Sequence, residues 1–91
     1  MLDYLQSAHR EMQLRHLEEA ERHVALGARH IAEQEDRIEH LARHGHDLAE
    51  AKKLLDNFYS CQVLHVQHRD RILRELSVFV PEGPELKLPA S

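Results

Sequence analysis

Histidine is the residue type in this sequence with the most chemical potential, and it recurs at a fixed interval. The chain has 91 residues and nine histidines. Six positions along one row are seven residues apart: His9, His16, His23, His30, Arg37 and His44. Residues seven apart on an α-helix lie about 10 Å apart along its axis, whereas one zinc ion needs its nitrogen ligands about 2 Å away. A single helix therefore cannot chelate a metal ion with this row.

Three interpretations of the histidine row remain. The favoured one is a partly covered helix edge beside an apolar seam, where polar side chains meet a neighbouring helix. The second is a pH-dependent interface, because imidazoles titrate close to neutral pH. The third is a metal ion shared between chains.

Closer histidine pairs have spacing that suits metal ligands. His40 and His44 are four residues apart, and His46 follows in the adjoining turn, so these three are weak candidates for a zinc or nickel site. Histidine near a helix C-terminus is also favoured electrostatically without any metal. Cys61, one turn before His65, lacks a third residue that would orient a thiol–imidazole pair. The sequence predicts no catalytic residue and no cofactor.

The first half of the chain predicts the helix that must carry this row. From residue 17 to residue 41, apolar and small residues recur at heptad spacing, which is typical of a coiled-coil seam. Gln34 is the polar member of the series, and the apolar residues before position 17 do not share its register. We expect helix 1 to span about residues 3–44.

A turn and a second helix should follow. Gly45 suits the left-handed residue after a helix C-terminus, and Asp47 followed by Glu50 resembles a capping box. We expect a turn at 45–46, helix 2 over about 47–80, and an extended tail over 81–91, because Pro81 cannot continue a helix. Helix 2 carries its own heptad stripe, formed by Ala51, Phe58, His65, Ile72 and Phe79.

These elements predict an all-α fold with one domain, a long antiparallel two-helix hairpin. A turn at Gly45 would place Ile38 near Leu54, Ile31 near Cys61, Gly27 near His65 and Ala20 near Ile72. A hairpin buries one stripe per helix, and further apolar positions widen the apolar face, so we expect dimerisation into a four-helix bundle. The predicted interface residues are Leu17, Val24, Ile31, Ile38, Leu41, Leu54, Phe58, His65 and Ile72.

Composition excludes several classes of protein. The formal net charge is −4, which provides no positive field for nucleic acid. No segment approaches the roughly 20 apolar residues that span a bilayer, and the first residues do not resemble an export signal. One cysteine cannot form an internal disulfide. We therefore expect a cytoplasmic protein that binds neither nucleic acid nor membrane.

Several motifs resemble a known family. They are Ala20-Glu21-Arg22-His23-Val24, Gly27-Ala28-Arg29-His30-Ile31-Ala32, Gly45-His46-Asp47, Ala51-Lys52-Lys53-Leu54-Leu55 and Leu64-His65-Val66-Gln67-His68-Arg69-Asp70-Arg71. Together, over about residues 17–76, they resemble a family of short uncharacterised proteins from rhizobia and related alphaproteobacteria. This resemblance implies a helix, a Gly-His-Asp turn and a second helix, but no activity.

The sequence therefore favours a non-enzymatic protein–protein interaction module that acts as a homodimer and has a further, unidentified protein partner. The alternative is a histidine-based pH sensor or metal-binding protein. The two hypotheses depend on different surfaces, the apolar face and the histidine row.

Overall fold

The computed structural model describes residues 2–78. This part of the chain contains two helices and no strand: α1 spans Leu2–Arg43 and α2 spans Ala49–Val78. The helices run antiparallel, since Gln13 contacts Glu75 and Glu35 contacts Tyr59. The predicted all-helical class and the hairpin are confirmed. The predicted end of helix 2 near residue 80 and the tail 81–91 lie outside the described residues.

The turn uses the residues that the sequence indicated. Gly45 has φ +73°, a left-handed conformation that costs glycine no Cβ clash. The His46 N–H donates to the Leu41 carbonyl at 3.0 Å and the Gly45 N–H to the Ala42 carbonyl at 3.1 Å, which is the Schellman pattern. Asp47 Oδ1 then accepts from the Ala49 N–H at 3.2 Å, as a helix N-cap does.

The seam between the helices has strict heptad spacing. In α1 the buried and half-buried positions are Gln13, Leu17, Ala20, Val24, Gly27, Ile31, Gln34, Ile38 and Leu41. The corresponding residues of the second half are Leu48, directly before α2, and Ala51, Leu55, Phe58, Gln62, His65, Arg69, Ile72 and Leu76 within it. Val66 and Asp70, beside this stripe, are also half-buried. The register therefore extends further towards the N-terminus than the apolar residues alone predicted, because Gln13 continues it.

The apolar core is small and lies near the open end of the hairpin. Ala20, Ile72 and Leu76 are the buried hydrophobic residues of the described chain, and Leu17 packs against them. The apolar seam residues closer to the turn are half-buried, whereas Gln34 is buried. Two helices can enclose only one stripe each, so most of the apolar surface beside the seam stays exposed.

Three glutamines connect the helices along the seam. Gln13 Nε2 donates to Glu75 Oε1 at 2.6 Å, Gln62 Nε2 to the Val24 carbonyl at 2.8 Å, and Gln34 Nε2 to the Ala51 carbonyl at 2.9 Å. Their contact points on α1 are about 15 Å apart. A slip of one heptad would break all three bonds, so these polar contacts specify the register of the hairpin.

Part of the predicted helix pairing is wrong. Leu54 is 43% exposed and Cys61 is exposed, while Leu55 and Gln62 are half-buried in the seam. The row that faces α1 contains Gln62 and Arg69, so it is less apolar than the neighbouring row. A prediction from apolar content alone therefore placed Leu54 and Cys61 opposite α1. The prediction for Ala20 and Ile72 is confirmed, since both belong to the buried cluster.

Candidate interaction surfaces

The hairpin presents two long faces, one on each side of the seam. The imidazole face consists of His16, His23, His30 and Arg37 from α1, Leu54, Cys61 and His68 from α2, and His65, which reaches it from the seam. The Ala–Val face consists of Glu21, Ala25, Ala28, Ala32 and Glu35 from α1 and Tyr59, Val63, Val66, Asp70 and Leu73 from α2. Each set follows helical spacing along its helix.

On the imidazole face, the histidine row of α1 meets aromatic rings of α2. The rings of His23 and His65 have centroids 5.5 Å apart, and those of His30 and Phe58 are 5.7 Å apart. His23, His30 and His65 also line one small cavity together with Leu26 and Gly27. The favoured interpretation of the row, a partly covered edge beside the seam, agrees with these contacts.

Gly27 has a structural role beside this cavity. A methyl group at position 27 would overlap with Gln62 Oε1, so the absence of a side chain makes room for Gln62. We predicted that Gly27 would lie near His65, and both residues line this cavity. The ring of His65 packs on that of His23, and the side chain closest to Gly27 is Gln62. Gln62 Oε1 is buried and has no hydrogen-bond partner.

The histidines near the turn are arranged around the helix end. His44 Nδ1 donates to the His40 carbonyl at 2.8 Å, and the two rings have centroids 4.3 Å apart. This bond satisfies one of the last carbonyls of α1, as basic side chains at helix C-termini often do. Within residues 2–78, no group of three or more histidine, cysteine or acidic side chains is arranged to hold a metal ion, and this includes His40, His44 and His46.

The Ala–Val face has one polar contact across the helices. Tyr59 Oη donates to Glu35 Oε2 at 2.6 Å. The carboxylate accepts the phenolic hydrogen and repels a phenolate, so the hydrogen bond from Tyr59 to Glu35 and the negative charge of Glu35 raise the pKa of Tyr59 above its usual value. The contact also fixes the relative height of the two helix rows that form this face.

The rest of the Ala–Val face is apolar and accessible. Val63 is 53% exposed, and Tyr59 and Leu73 are each 43% exposed. Ala25, Ala28 and Ala32 are exposed beside them on α1. Scattered single apolar residues are normal on a protein surface, but a contiguous patch of this kind typically marks an interaction site.

The predicted interface residues divide into seam and surface. Ile72 is buried, whereas Leu54 is exposed and lies on the imidazole face. The half-buried residues of the prediction are Leu17, Val24, Ile31, Ile38, Leu41, Phe58 and His65. The heptad pattern therefore identified the contact between the two helices of one chain, and the exposed Ala–Val face was only indicated by the extra apolar positions.

Sequence reasoning missed Gln13 as a bridging residue. Its amide bonds Glu75 and lies 3.3 Å from His16 Nδ1, so it joins the start of the histidine row to the end of α2. Its position four residues before Leu17, in heptad register, was the signal that could have revealed it.

Comparison with known proteins adds no assignment. The chain matches no protein family model, no curated protein and no solved structure. The resemblance to an alphaproteobacterial family stays a prediction. Neither of the two described helices contains an apolar stretch long enough to cross a membrane.

Proposed function

We propose that this protein is a non-enzymatic interaction module that acts as a homodimer, and that the Ala–Val face is the dimer interface. The observation that carries the proposal is the exposure of Tyr59, Val63 and Leu73 beside an alanine row on the other helix. Burying this surface against a second copy would remove apolar area from water, which is the main favourable term in association.

The size of the face supports a stable dimer. From Glu35 down to Leu14, which continues the same row, α1 rises about 32 Å at 1.5 Å per residue. Two helices side by side are about 20 Å wide, which gives a footprint of about 600 Å². Specific interfaces bury about 600 to 1,000 Å² per partner, so the face reaches the lower end of this range.

The shape of the molecule supports a binding role over catalysis. Open grooves run along the helices of the described part of the chain, such as the one lined by His30, Gln34, Arg37 and Phe58. An active site normally encloses most of its substrate and excludes water. A narrow hairpin instead offers long, accessible faces of the kind that pack against other helices.

Neighbouring residues on α2 provide a matched test. Val63 lies on the Ala–Val face and is 53% exposed, while Leu64 lies at the outer edge of the imidazole face and is 64% exposed. Val63→Glu would place a carboxylate inside the proposed interface, and Leu64→Glu would not. Light scattering after size-exclusion chromatography gives the solution mass of each variant, and circular dichroism checks that both stay helical.

We expect wild type and Leu64→Glu to have the mass of two chains and Val63→Glu the mass of one. A monomeric wild type would overturn the homodimer. A dimer that persists in Val63→Glu but dissociates in Leu64→Glu would assign the interface to the imidazole face.

A second candidate function is metal binding between the helices, favoured by the contact of His23 with His65. Two imidazoles bound to one tetrahedral ion have ring centroids about 5 Å apart, since each nitrogen lies about 2 Å from the ion. The observed separation is 5.5 Å. Water or a second copy would supply the other ligands.

Zinc titration by calorimetry tests this candidate at neutral pH. Binding that is lost in His65→Gln and retained in His46→Gln would support the pair, because His46 lies in the turn away from it. Equal zinc uptake by the two variants, or none by the wild type, would exclude it.

A further inference from the structure

The two rows of the Ala–Val face differ in size and charge. The α1 row has small residues at its centre, Ala25, Ala28 and Ala32, and carboxylates at both ends, Glu21 and Glu35. The α2 row has bulkier residues, Tyr59, Val63, Val66 and Leu73. A helix can approach the alanine row more closely than it can approach the α2 row.

The contacts across the seam set the relative heights of these rows. His23 packs against His65, His30 against Phe58, and Gln62 against Gly27. Ala28 is therefore level with the stretch between Tyr59 and Val63, and Glu21 is level with the stretch between Val66 and Asp70. The small row and the bulky row lie side by side over the central part of the face.

A second copy can dock on this face with two-fold symmetry in two ways. If the turns lie at the same end, the axis runs parallel to the helices, and α1 of each copy packs on α2 of the other. If the turns lie at opposite ends, the axis runs across the helices, and α1 packs on α1 while α2 packs on α2.

Side-chain size favours the first arrangement. With the turns at the same end, Ala25 and Ala28 face the stretch between Tyr59 and Val63 of the second copy, so the centre of each small row receives bulky side chains. With the turns at opposite ends, the alanine rows of the two copies face each other, and so do the two α2 rows that contain Tyr59 and Val63. The bulky side chains of the α2 rows then overlap. Interhelical distances depend on the side chains at the contact, and a rigid hairpin cannot satisfy both distances at once.

Charge does not separate the two arrangements. In the opposite-end dimer centred on Ala28, Glu21 of each copy faces Glu35 of the other. In the same-end dimer, Glu21 of each copy faces the stretch between Val66 and Asp70 of the other, which also brings carboxylates together twice. Like charges across an interface are unfavourable in both cases, so the orientation follows from side-chain size.

We infer that two copies of this chain pack through their Ala–Val faces with both turns at the same end, α1 of each copy on α2 of the other. This inference rests on the proposed homodimer and adds its orientation. The resulting four-helix bundle leaves both imidazole faces on the outside and brings the two Gly45 turns together at one end.

Distances between spin labels test the orientation in the full chain. Cys61→Ser removes the native exposed thiol, and His46→Cys then places a single label at the turn. In a same-end dimer, the two labels are separated only by the width of the bundle, about 20 Å. In an opposite-end dimer they are about 50 Å apart, because residue 46 lies some 18 residues above Ala28 at 1.5 Å per residue.

A separate variant with its single label at Arg10→Cys, near the open end, gives an independent measurement. The expected distances in the two dimers are the same as for the label at the turn. Short distances at both positions would support the inference. A dimeric mass with distances near 50 Å would overturn the orientation while the proposed function stands. A monomeric mass without dipolar coupling would overturn both, and so would an assembly that grows with concentration. Val63→Glu in each labelled chain is the control, in which the coupling should disappear.

Discussion

The two faces of the hairpin flank the same seam, but their charged groups differ. Carboxylates border the Ala–Val face. Histidines and Arg37 dominate the other face, and histidine is the residue type that ordinarily gains or loses a proton near neutral pH. The Ala–Val face also has small residues at its centre, whereas rings of His23, His30 and His65 cover the corresponding part of the imidazole face.

This difference indicates a division of roles. Small and bulky apolar rows suit close, permanent packing of helices, which depends on shape. Exposed imidazoles suit a response to protons or metal ions, which depends on access to solvent. A dimer on one face leaves the other accessible, so the two hypotheses drawn from the sequence can be tested on separate surfaces.

The largest effect is expected when the seam that supports both faces is broken. Ile31 is half-buried between the helices, and Ile31→Asp would place a carboxylate there without a partner. We expect a loss of about 3 kcal/mol or more in the free energy of unfolding. Urea unfolding followed by circular dichroism measures it, with exposed Arg29→Asp as the control for helix propensity. Similar stabilities of the two variants would contradict the assigned seam.

A smaller effect is expected at the turn, which holds the two helices side by side. Gly45 has φ +73°, and Gly45→Ala would force a Cβ into a left-handed conformation at a cost of about 1 to 2 kcal/mol. Asparagine tolerates that conformation better, so Gly45→Asn should be closer to wild type in the same urea measurement. If alanine and asparagine destabilise equally, the strain at this position is not the cause.

The hairpin itself was predictable because its signals are local. Leu17 to Leu41 repeat at heptad spacing, and Gly45 and Asp47 mark the turn with residue types that suit their backbone conformations. The structure confirms the two helices and the turn. Helix 2 begins at Ala49, two residues later than predicted, because Asp47 and Leu48 complete the cap before the first helical hydrogen bond.

It was harder to predict which side of α2 faces α1, because this depends on contacts between residues that are far apart in the sequence. Gln62 is a seam residue because its amide reaches the Val24 carbonyl and its side chain fits against Gly27. Neither contact is visible in the periodicity of α2 alone, where Leu54 and Cys61 look more suitable than Gln62. For the same reason, the sequence indicated the Ala–Val face only as extra apolar positions, since defining the face requires the correct row of α2 beside that of α1.

The comparison of the faces predicts a solution mass that does not change between pH 6 and pH 8. The Ala–Val face contains no histidine, and histidine is the residue type whose ordinary pKa lies within that range. Light scattering at both pH values checks this expectation, with circular dichroism to show that the hairpin stays folded. A mass that changes between them would point to the imidazole face as the interface and to the histidine-based alternative.

The smallest effect is expected at alkaline pH, where the Ala–Val face has its own titratable contact. The hydrogen bond to Glu35 raises the pKa of Tyr59, so the folded chain holds this proton more tightly than the unfolded chain. The stability from this contact is present below about pH 10 and is lost as the pH rises through the pKa of the folded state. Absorbance at alkaline pH follows the phenolate, in a Tyr4→Phe background that leaves Tyr59 as the single tyrosine.

In that background the ionisation midpoint should lie above 10, and Glu35→Gln should lower it by removing the carboxylate. Phenolate at position 59 would stand beside Glu35 of its own chain and, in the same-end dimer, beside Glu35 of the second copy. The dimer should therefore dissociate over the same pH interval, and Tyr59→Phe should keep it intact there. Equal midpoints in wild type and Glu35→Gln would show that the contact between Tyr59 and Glu35 does not persist in solution.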